Sequence, residues 1–390
     1  AGTPTPPFPP NGPGTTAQFD SHDLLLMQEE CPPHKLEGHV SALGKELDAV
    51  AAAGSFDVDV VWPLPEDSPL QQILTSEAVQ QWDYDLFKLR DLSDNHPLVY
   101  MAHGIINLFQ LPEKLKLDMK VVHRYLCALE RSYNKCIYHN PMHAADVLHA
   151  TAYLLYGKTS DVFPPDELLI IILATCGHDV GHPGINNTYL IKQSHDVANR
   201  YANKSVLENH HASISLELME REDMDILSFL PADARERREE LQDMLRQLVL
   251  GTDMSVHMKM VADFQEMITA GKTLDLTSRA DRILAMQLVV HSADLSNPGK
   301  PWSIHIQWTH AIVAEFFSQG DFERSQGLDV SPMCDRTANC GRSSQKNFFL
   351  NFCRPLFVIM PKVLPDTAER CFHLVDQMDR NIARWTSLGF

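Results

Sequence analysis

The chain lacks a surplus of basic residues: 33 Lys and Arg stand against 51 Asp and Glu over 390 residues, a formal net charge of −18. Nucleic-acid binding draws most of its non-specific affinity from basic side chains, so the balance argues against DNA or RNA as a partner. A small anionic substrate stays open, because a bound cation reverses the field locally. Long apolar runs are missing too. The longest, residues 168–176 with Thr175 its one polar side chain, is about half of what a membrane-spanning helix needs. With no basic membrane-binding face either, recruitment to a membrane would fall to an upstream module. The first residues carry neither a basic nor an apolar signal region, and the missing initiator Met suggests a start within a longer protein. Eight cysteines are spread along the chain without a Cys-x-x-Cys pair, which reads as reduced thiols in a cytoplasmic setting. No glycine-rich phosphate loop and no fixed-period repeat occur, which removes the common nucleotide-binding sheets and the solenoids.

What is present is a globular composition, 44% apolar and 22% charged, sized for one large domain or two smaller ones. Six prolines among the first thirteen residues make residues 1–20 a Pro-rich linker. Residues 21–74 form an N-terminal extension. The apolar spacing permits a helix over 36–53, weakened by Gly38 and Gly44, and Pro63, Pro65 and Pro69 mark a loop beyond it. From 75 to 390 the pattern becomes long periodic segments broken by Pro, Gly, Asn or Asp, with few alternating β-branched runs. That is the signature of an all-α domain. Pro165 and Asp166 open a buried helix ending near Gly177, and amphipathic helices fall at 234–250 and 280–291.

Nineteen histidines invite a search for ligand spacing. In Tyr138-His139-Asn140-Pro141-Met142-His143-Ala144-Ala145-Asp146 two imidazoles stand four apart, with Pro141 placing His139 just before a helix and His143 in its first turn. The buried helix runs out into Gly177-His178-Asp179-Val180-Gly181-His182-Pro183-Gly184, three ligand-type side chains among glycines. His-Asp also occurs at His22-Asp23 and His195-Asp196 by chance. The copy at 178–179 differs in closing a buried helix, where a carboxylate needs a compensating cation. A second apolar helix ends in an acid at Asp294, which on its own is read equally well as a turn carboxylate. Two His and two Asp from three helices suit a hard-to-borderline metal ion.

Those segments, with Ser205-Val206-Leu207-Glu208-Asn209-His210-His211, Thr252-Asp253-Met254-Ser255, the 291–298 stretch, Gln307-Trp308-Thr309, Glu315-Phe316-Phe317, Ser331-Pro332-Met333-Cys334-Asp335 and Ser344-Gln345, resemble in order and spacing the signature set of class I cyclic nucleotide phosphodiesterases of the cAMP-specific type. The resemblance runs from about residue 75 to the C-terminus. It implies a compact multi-helix bundle of the His-Asp (HD) metal-dependent phosphohydrolase superfamily. It further implies hydrolysis of 3′,5′-cyclic nucleotides, cAMP before cGMP, to 5′-monophosphates by a two-metal mechanism with a bridging hydroxide as nucleophile. By that pattern Zn²⁺ is held by His143, His178, Asp179 and Asp294, and Asp179 bridges to a second ion, Mg²⁺ or Mn²⁺, whose waters are positioned by His182, Glu208, His211 and Thr252. His139 becomes the general acid, with Glu208 hydrogen-bonded behind it. Gln345 holds the purine, Phe348 and Ile312 sandwich it, and Asn297 occupies the position that pairs with adenine. Tyr138, Asn187, Asp253, Met254, Leu295, Trp308 and Phe316 line the pocket. The family frame is compatible with an upstream regulatory or targeting domain and with a homodimer.

The chain departs from the cAMP-specific pattern at Gly181, at Val313 and Ala314 beside Ile312, and at Cys340-Gly341-Arg342, changes expected to touch pocket shape. Two other readings compete. A nucleotidase or deoxynucleotide triphosphohydrolase of the same superfamily shares the ligand chemistry but leaves the 207–211 segment and Gln345 unexplained. A non-catalytic cyclic-nucleotide sensor leaves the retained His139 unexplained.

Overall fold

The computed structural model describes residues 33–45, 60–65, 67–337 and 343–387, the side chains of 33, 34 and 343–345 excepted. The Pro-rich residues 1–20, the Cys340-Gly341-Arg342 departure and the Gln345 side chain therefore lie outside the described residues. Among those described, all regular structure is helical. The helices that build the site are, in chain order, α1 (Pro33–Ala42), α2 (Met119–Arg131), α3 (Pro141–Leu155), α4 (Pro165–Gly177), α5 (Val206–Met219), α6 (Arg235–Leu250), α7 (Met254–Thr269), α8 (Arg279–Asp294), α9 (Trp302–Ser325) and α10 (Ala368–Ser387).

The chain's most apolar run becomes the fold's axis. From Leu168 to Gly177 every residue of α4 is buried, and α3, α5 and α6 pack around it. Both ends of this helix are pinned. Glu167, fully buried in its first turn, meets Arg282 of α8 at 2.7 Å and Arg237 of α6 at 3.3 Å. At the other end α5 crosses so closely that a Cβ on Gly177 would lie 2.2 Å from Ser215 Oγ. Only glycine admits that approach, and the approach fixes where His178 and Asp179 emerge.

The expected helices over 165–177, 234–250 and 280–291 are α4, α6 and α8, the last running on to Asp294. Of the helix permitted over 36–53, residues 46–53 lie outside the described residues. The described part spans Pro33–Ala42 and turns at Gly44, whose φ of +93° no right-handed helix accepts. Leu36 and Leu43 are buried with Ile185, Leu190, Leu207 and Phe322 in a second, smaller apolar cluster, while Val60 and Leu70 join the main core. Segments read as an extension thus supply core side chains, and α1 packs on α9 beside the cavity described below.

A second buried charge pair fixes the loop after α8. Lys300, with no exposed surface, reaches Asp146 of α3 at 2.9 Å and lies over the Trp82 ring at 4.0 Å. Gly177→Ala is expected to cost about 1–3 kcal/mol through the clash with Ser215. Thermal denaturation of that variant and of Gly177→Ala/Ser215→Gly checks it, the double change recovering most of the loss.

Candidate metal centre and active site

Asn140 caps α3: its Oδ1 accepts from Met142 N at 2.9 Å and His143 N at 3.3 Å, and Pro141 takes the first helical position. The cap fixes His143 in the first turn and leaves His139 just ahead of the helix, as the spacing indicated. His178 caps the C-terminus of α4, and its Nδ1 faces Thr175 O at 2.8 Å. That nitrogen therefore carries a proton, and Nε2 is the one turned to the carboxylates, whose charges outweigh burial and raise the imidazole well above its ordinary pKa. Asp294 is the last residue of α8.

The four side chains converge. His143 Nε2 lies 3.1 Å from Asp294 Oδ1 and 3.3 Å from Asp179 Oδ2, and His178 Nε2 lies 3.1 Å from Asp179 Oδ2 and 3.5 Å from Asp294 Oδ1. A tetrahedral ion with bonds of about 2.0–2.1 Å sets its ligands about 3.3–3.4 Å apart, so these four His–Asp separations lie near the edge length of such a tetrahedron, and His143, His178 and Asp179 offer atoms that all lie within 4.8 Å of one another. His178 Nε2, fully buried, has no hydrogen-bond partner despite this crowding. Burial alone would push both carboxyls up, yet the neighbouring imidazoles outweigh it and hold Asp179 and Asp294 well below the usual carboxylate range. Both acids also sit at helix C-termini, the negative end of the dipole. Imidazole nitrogens, carboxylates and dipoles all converge on one point, and a divalent cation satisfies all three.

His139 stands next to this centre. Its Nδ1 pairs with Glu315 Oε1, while Glu315 Oε2 accepts from Tyr138 N at 2.7 Å and His139 N at 3.2 Å. The expectation that Glu208 backs His139 is corrected by this geometry. Glu208 instead accepts from Asn187 Nδ2 at 3.0 and 3.2 Å, and Asn187 Oδ1 in turn accepts from Leu207 N. Helix α9 carries Glu315 beneath residues 138–139, a position that the motif order alone did not reveal. A fully buried acid within the aromatic Glu315-Phe316-Phe317 run was the available signal.

Protonation differs sharply among neighbours. Burial pulls His139 down, but the Glu315 and Asp179 charges outweigh it and raise His139 to about 9, while Glu315 falls to about 2 against its own burial, chiefly through His139. His182, stacked 4.0 Å from His139, is lowered to about 3 by burial and by that imidazolium. Burial and then Asp253 raise Glu208 to about 7. His182 Nδ1 accepts from Gly184 N at 3.0 Å, so its Nε2 carries the proton. His211 does the reverse, facing Val180 O through Nδ1 at 2.6 Å and leaving a bare Nε2 3.9 Å from Asp179 Oδ1. Thr252 donates to Val249 O at 2.8 Å.

These groups open on a cavity of about 590 Å³. Its wall includes Tyr138, His139, Asp179, His182, Glu208, His211, Thr252 and Asp294, and the expected pocket residues Asn187, Asp253, Met254, Leu295, Asn297, Ile312, Phe316 and Phe348. His143 and His178 lie beneath its floor. Trp308 is the exception among the expected wall residues. It is buried in the core behind Tyr138 and His143, its ring edge-on to theirs at 5.9 and 6.2 Å. Gly181, Val313 and Ala314 do not line the cavity either. No helix among the described residues is long and apolar enough to cross a membrane.

Residues 138–374 match the 3'5'-cyclic nucleotide phosphodiesterase family, and the chain belongs to that family. It is 38% identical over 314 residues to a 3',5'-cyclic-AMP phosphodiesterase 4C of Rattus norvegicus, covering 78% of this chain and 57% of the relative. The Mus musculus protein of the same name is 39% identical over 320 residues, covering 78% of this chain and 45% of the relative. A Caenorhabditis elegans protein named "Probable 3',5'-cyclic-AMP phosphodiesterase pde-4" is 34% identical over 311 residues, with the same two coverages, 78% and 45%. The chain spans about half the length of these curated relatives.

Adding a divalent cation at about a hundredfold excess over its Kd is expected to raise the melting temperature by roughly 3–4 °C. Scanning calorimetry of the chelator-stripped protein checks this, and Asp294→Asn should abolish most of the response.

Proposed function

We propose that the chain hydrolyses 3′,5′-cyclic nucleotides, cAMP in preference to cGMP, to 5′-nucleoside monophosphates. The observation that carries this reading is the opening of a four-donor cation site and a protonated His139 onto one apolar-walled cavity. Family membership and the printed names of the relatives support it.

His143, His178, Asp179 and Asp294 would hold a tight Zn²⁺, for which a nitrogen and oxygen set at tetrahedral spacing is suited. Asp179 turns its other oxygen toward His211, where a second ion, Mg²⁺ or Mn²⁺, would share it. Such cations supply an activated water and draw charge from the phosphoryl oxygens. The bare Nε2 of His211, the Nε2–H of His182, the Thr252 hydroxyl and the Glu208 carboxyl offer acceptors and donors that fix the orientation of surrounding water.

Cleavage leaves charge on the departing 3′ oxygen, and His139 delivers the proton. Glu315 serves it twice, keeping the imidazole charged at neutral pH and fixing its plane by binding the backbone on both sides. Asn297 donates through Nδ2 to the Tyr138 hydroxyl at 3.1 Å, so its Oδ1 is left as an acceptor. An acceptor suits the exocyclic amino group of adenine and repels the carbonyl of guanine, which is the physical basis proposed for cAMP preference. Phe348 and Ile312 would clamp the ring, and the Gln345 amide would complete its recognition.

The purified protein with Mg²⁺ should convert cAMP to 5′-AMP and lose that activity to a chelator. His139→Asn should lower kcat by about a hundredfold or more while keeping the cation-dependent melting shift. An inactive wild type with cations bound would favour a sensor instead. Because the acid must be protonated, activity falls as pH rises through the His139 pKa. Glu315→Gln removes the group that raises this pKa, so the alkaline limb of kcat should move down by about one to two pH units.

A further inference from the structure

The segment that carries Asn297 is held by its backbone. After Asp294 the chain makes a single 3-10 turn over Asn297–Gly299, closed by Gly299 N to Ser296 O at 2.9 Å and Lys300 N to Asn297 O at 3.0 Å. Three consecutive carbonyls then point away from the cavity, and each meets a side-chain donor from a remote part of the sequence. Asn381 of α10 donates through Nδ2 to Pro298 O at 2.8 Å and to Lys300 O at 2.9 Å. Trp82 donates through Nε1 to Gly299 O, between them, at 2.6 Å.

Asn381 is itself set for this task. It is 1% exposed, and its Oδ1 accepts from Gln377 Nε2 at 3.1 Å, which turns the amide nitrogen toward the turn. A buried Asn offering both of its N–H bonds to two backbone carbonyls leaves no donor idle and no carbonyl unmet. The approach is close: a Cβ at Gly299 would lie 3.3 Å from Leu374 O of the same helix. The turn thus rests directly on α10, and a shift of that helix is transmitted to Asn297, two residues away.

We propose that Asn381 is a positioning residue for nucleotide selectivity, acting on the base through the 297–300 turn and Asn297. This rests on the reading of Asn297 as the base-recognising amide. The logic is geometric. Asn297 can discriminate an amino group from a carbonyl only while its amide plane is fixed, and that plane is set by the Tyr138 hydroxyl on one side and by the anchored turn on the other. His139, Glu315, His143 and His178 stand on other elements. Loosening the turn therefore affects base discrimination more than proton delivery.

The test compares kcat/KM for cAMP and cGMP in wild type, Asn297→Ala, Asn381→Leu and Trp82→Phe. The ratio of the two constants is independent of the fraction of folded enzyme, so a merely destabilised variant does not move it. Asn381→Leu keeps the branched side-chain skeleton, with bulkier ends, and removes both donors. It should lower the cAMP:cGMP ratio by about threefold to tenfold, mainly through a higher KM for cAMP with kcat within about twofold. Met378→Ala, a core truncation in the same helix, should lower stability and leave the ratio alone. Trp82→Phe, which withdraws the Gly299 donor and keeps a ring over Lys300, carries the test if Asn381→Leu does not fold. A ratio unchanged in the anchor variant while Asn297→Ala shifts it overturns the proposal. A ratio unchanged in Asn297→Ala itself overturns the base reading and this proposal with it.

Discussion

Two carboxylates, Asp179 and Asp294, are delivered to one buried point by the C-termini of two helices, and much of the surrounding structure follows from that constraint. Helix dipoles make the position worse for an anion, and burial makes it worse again. The arrangement is stable only with positive charge between the acids, which the two imidazoles supply when protonated and a divalent cation supplies better. Two other buried acids are neutralised locally by basic side chains. Glu167 is matched by Arg282 and Arg237, and Asp146 by Lys300. Both of these pairs are also mechanical, since one anchors the start of the helix that ends in His178 and the other ties the loop beyond Asp294 to the helix that carries His143. Breaking either leaves an unpaired buried charge.

The histidines around the cavity are separated in role by what their second nitrogen touches. Backbone carbonyls at Thr175 and Val180 take the Nδ1 protons of His178 and His211, so both turn Nε2 inward, and burial keeps His211 neutral with a bare Nε2. A backbone N–H at Gly184 does the opposite to His182 and leaves it a donor. His139 alone has a carboxylate partner outside the cation site, and it alone is raised by that partner to about 9. Inward-turned nitrogens, an N–H donor and a charged imidazole are thus made from one residue type within a few ångströms. The adjacency of His139 and His182 reinforces the division, because a charged imidazole stacked on another holds the second neutral.

What the sequence made legible was local. The helix start at Pro141, the apolar run closing on His178-Asp179 and the acid ending a second apolar helix are contiguous features, and each maps onto a structural feature at the expected place. Pairings between distant segments were less legible. Whether Glu208 or Glu315 backs His139 depends on how α9 is rotated against residues 138–139, some 176 positions away in sequence. Periodicity gives a helix its apolar face but does not say which neighbour that face meets. Trp308 shows the same gap: it shares a face of α9 with Ile312 and Phe316, but one turn earlier along the helix that face meets the core behind Tyr138 and not the cavity. Cavity wall and core support share residue types, so composition does not tell them apart.

The site's two tasks rest on different kinds of support. The cation donors and His139 stand at helix ends, fixed by caps, buried ion pairs and the close crossing at Gly177, where small displacements are resisted by dense packing. The amide proposed to read the base stands on a short 3-10 turn whose geometry comes from hydrogen bonds to backbone carbonyls contributed by residue 82 and residue 381. A helix end cannot move without repacking the core, whereas a turn can shift by exchanging one donor for another. Changes in the turn and its anchors therefore alter what is recognised at smaller structural cost than changes in the helix ends alter what is done to it. On this argument substrate preference can diverge among chains that keep the four donors and the proton donor unchanged.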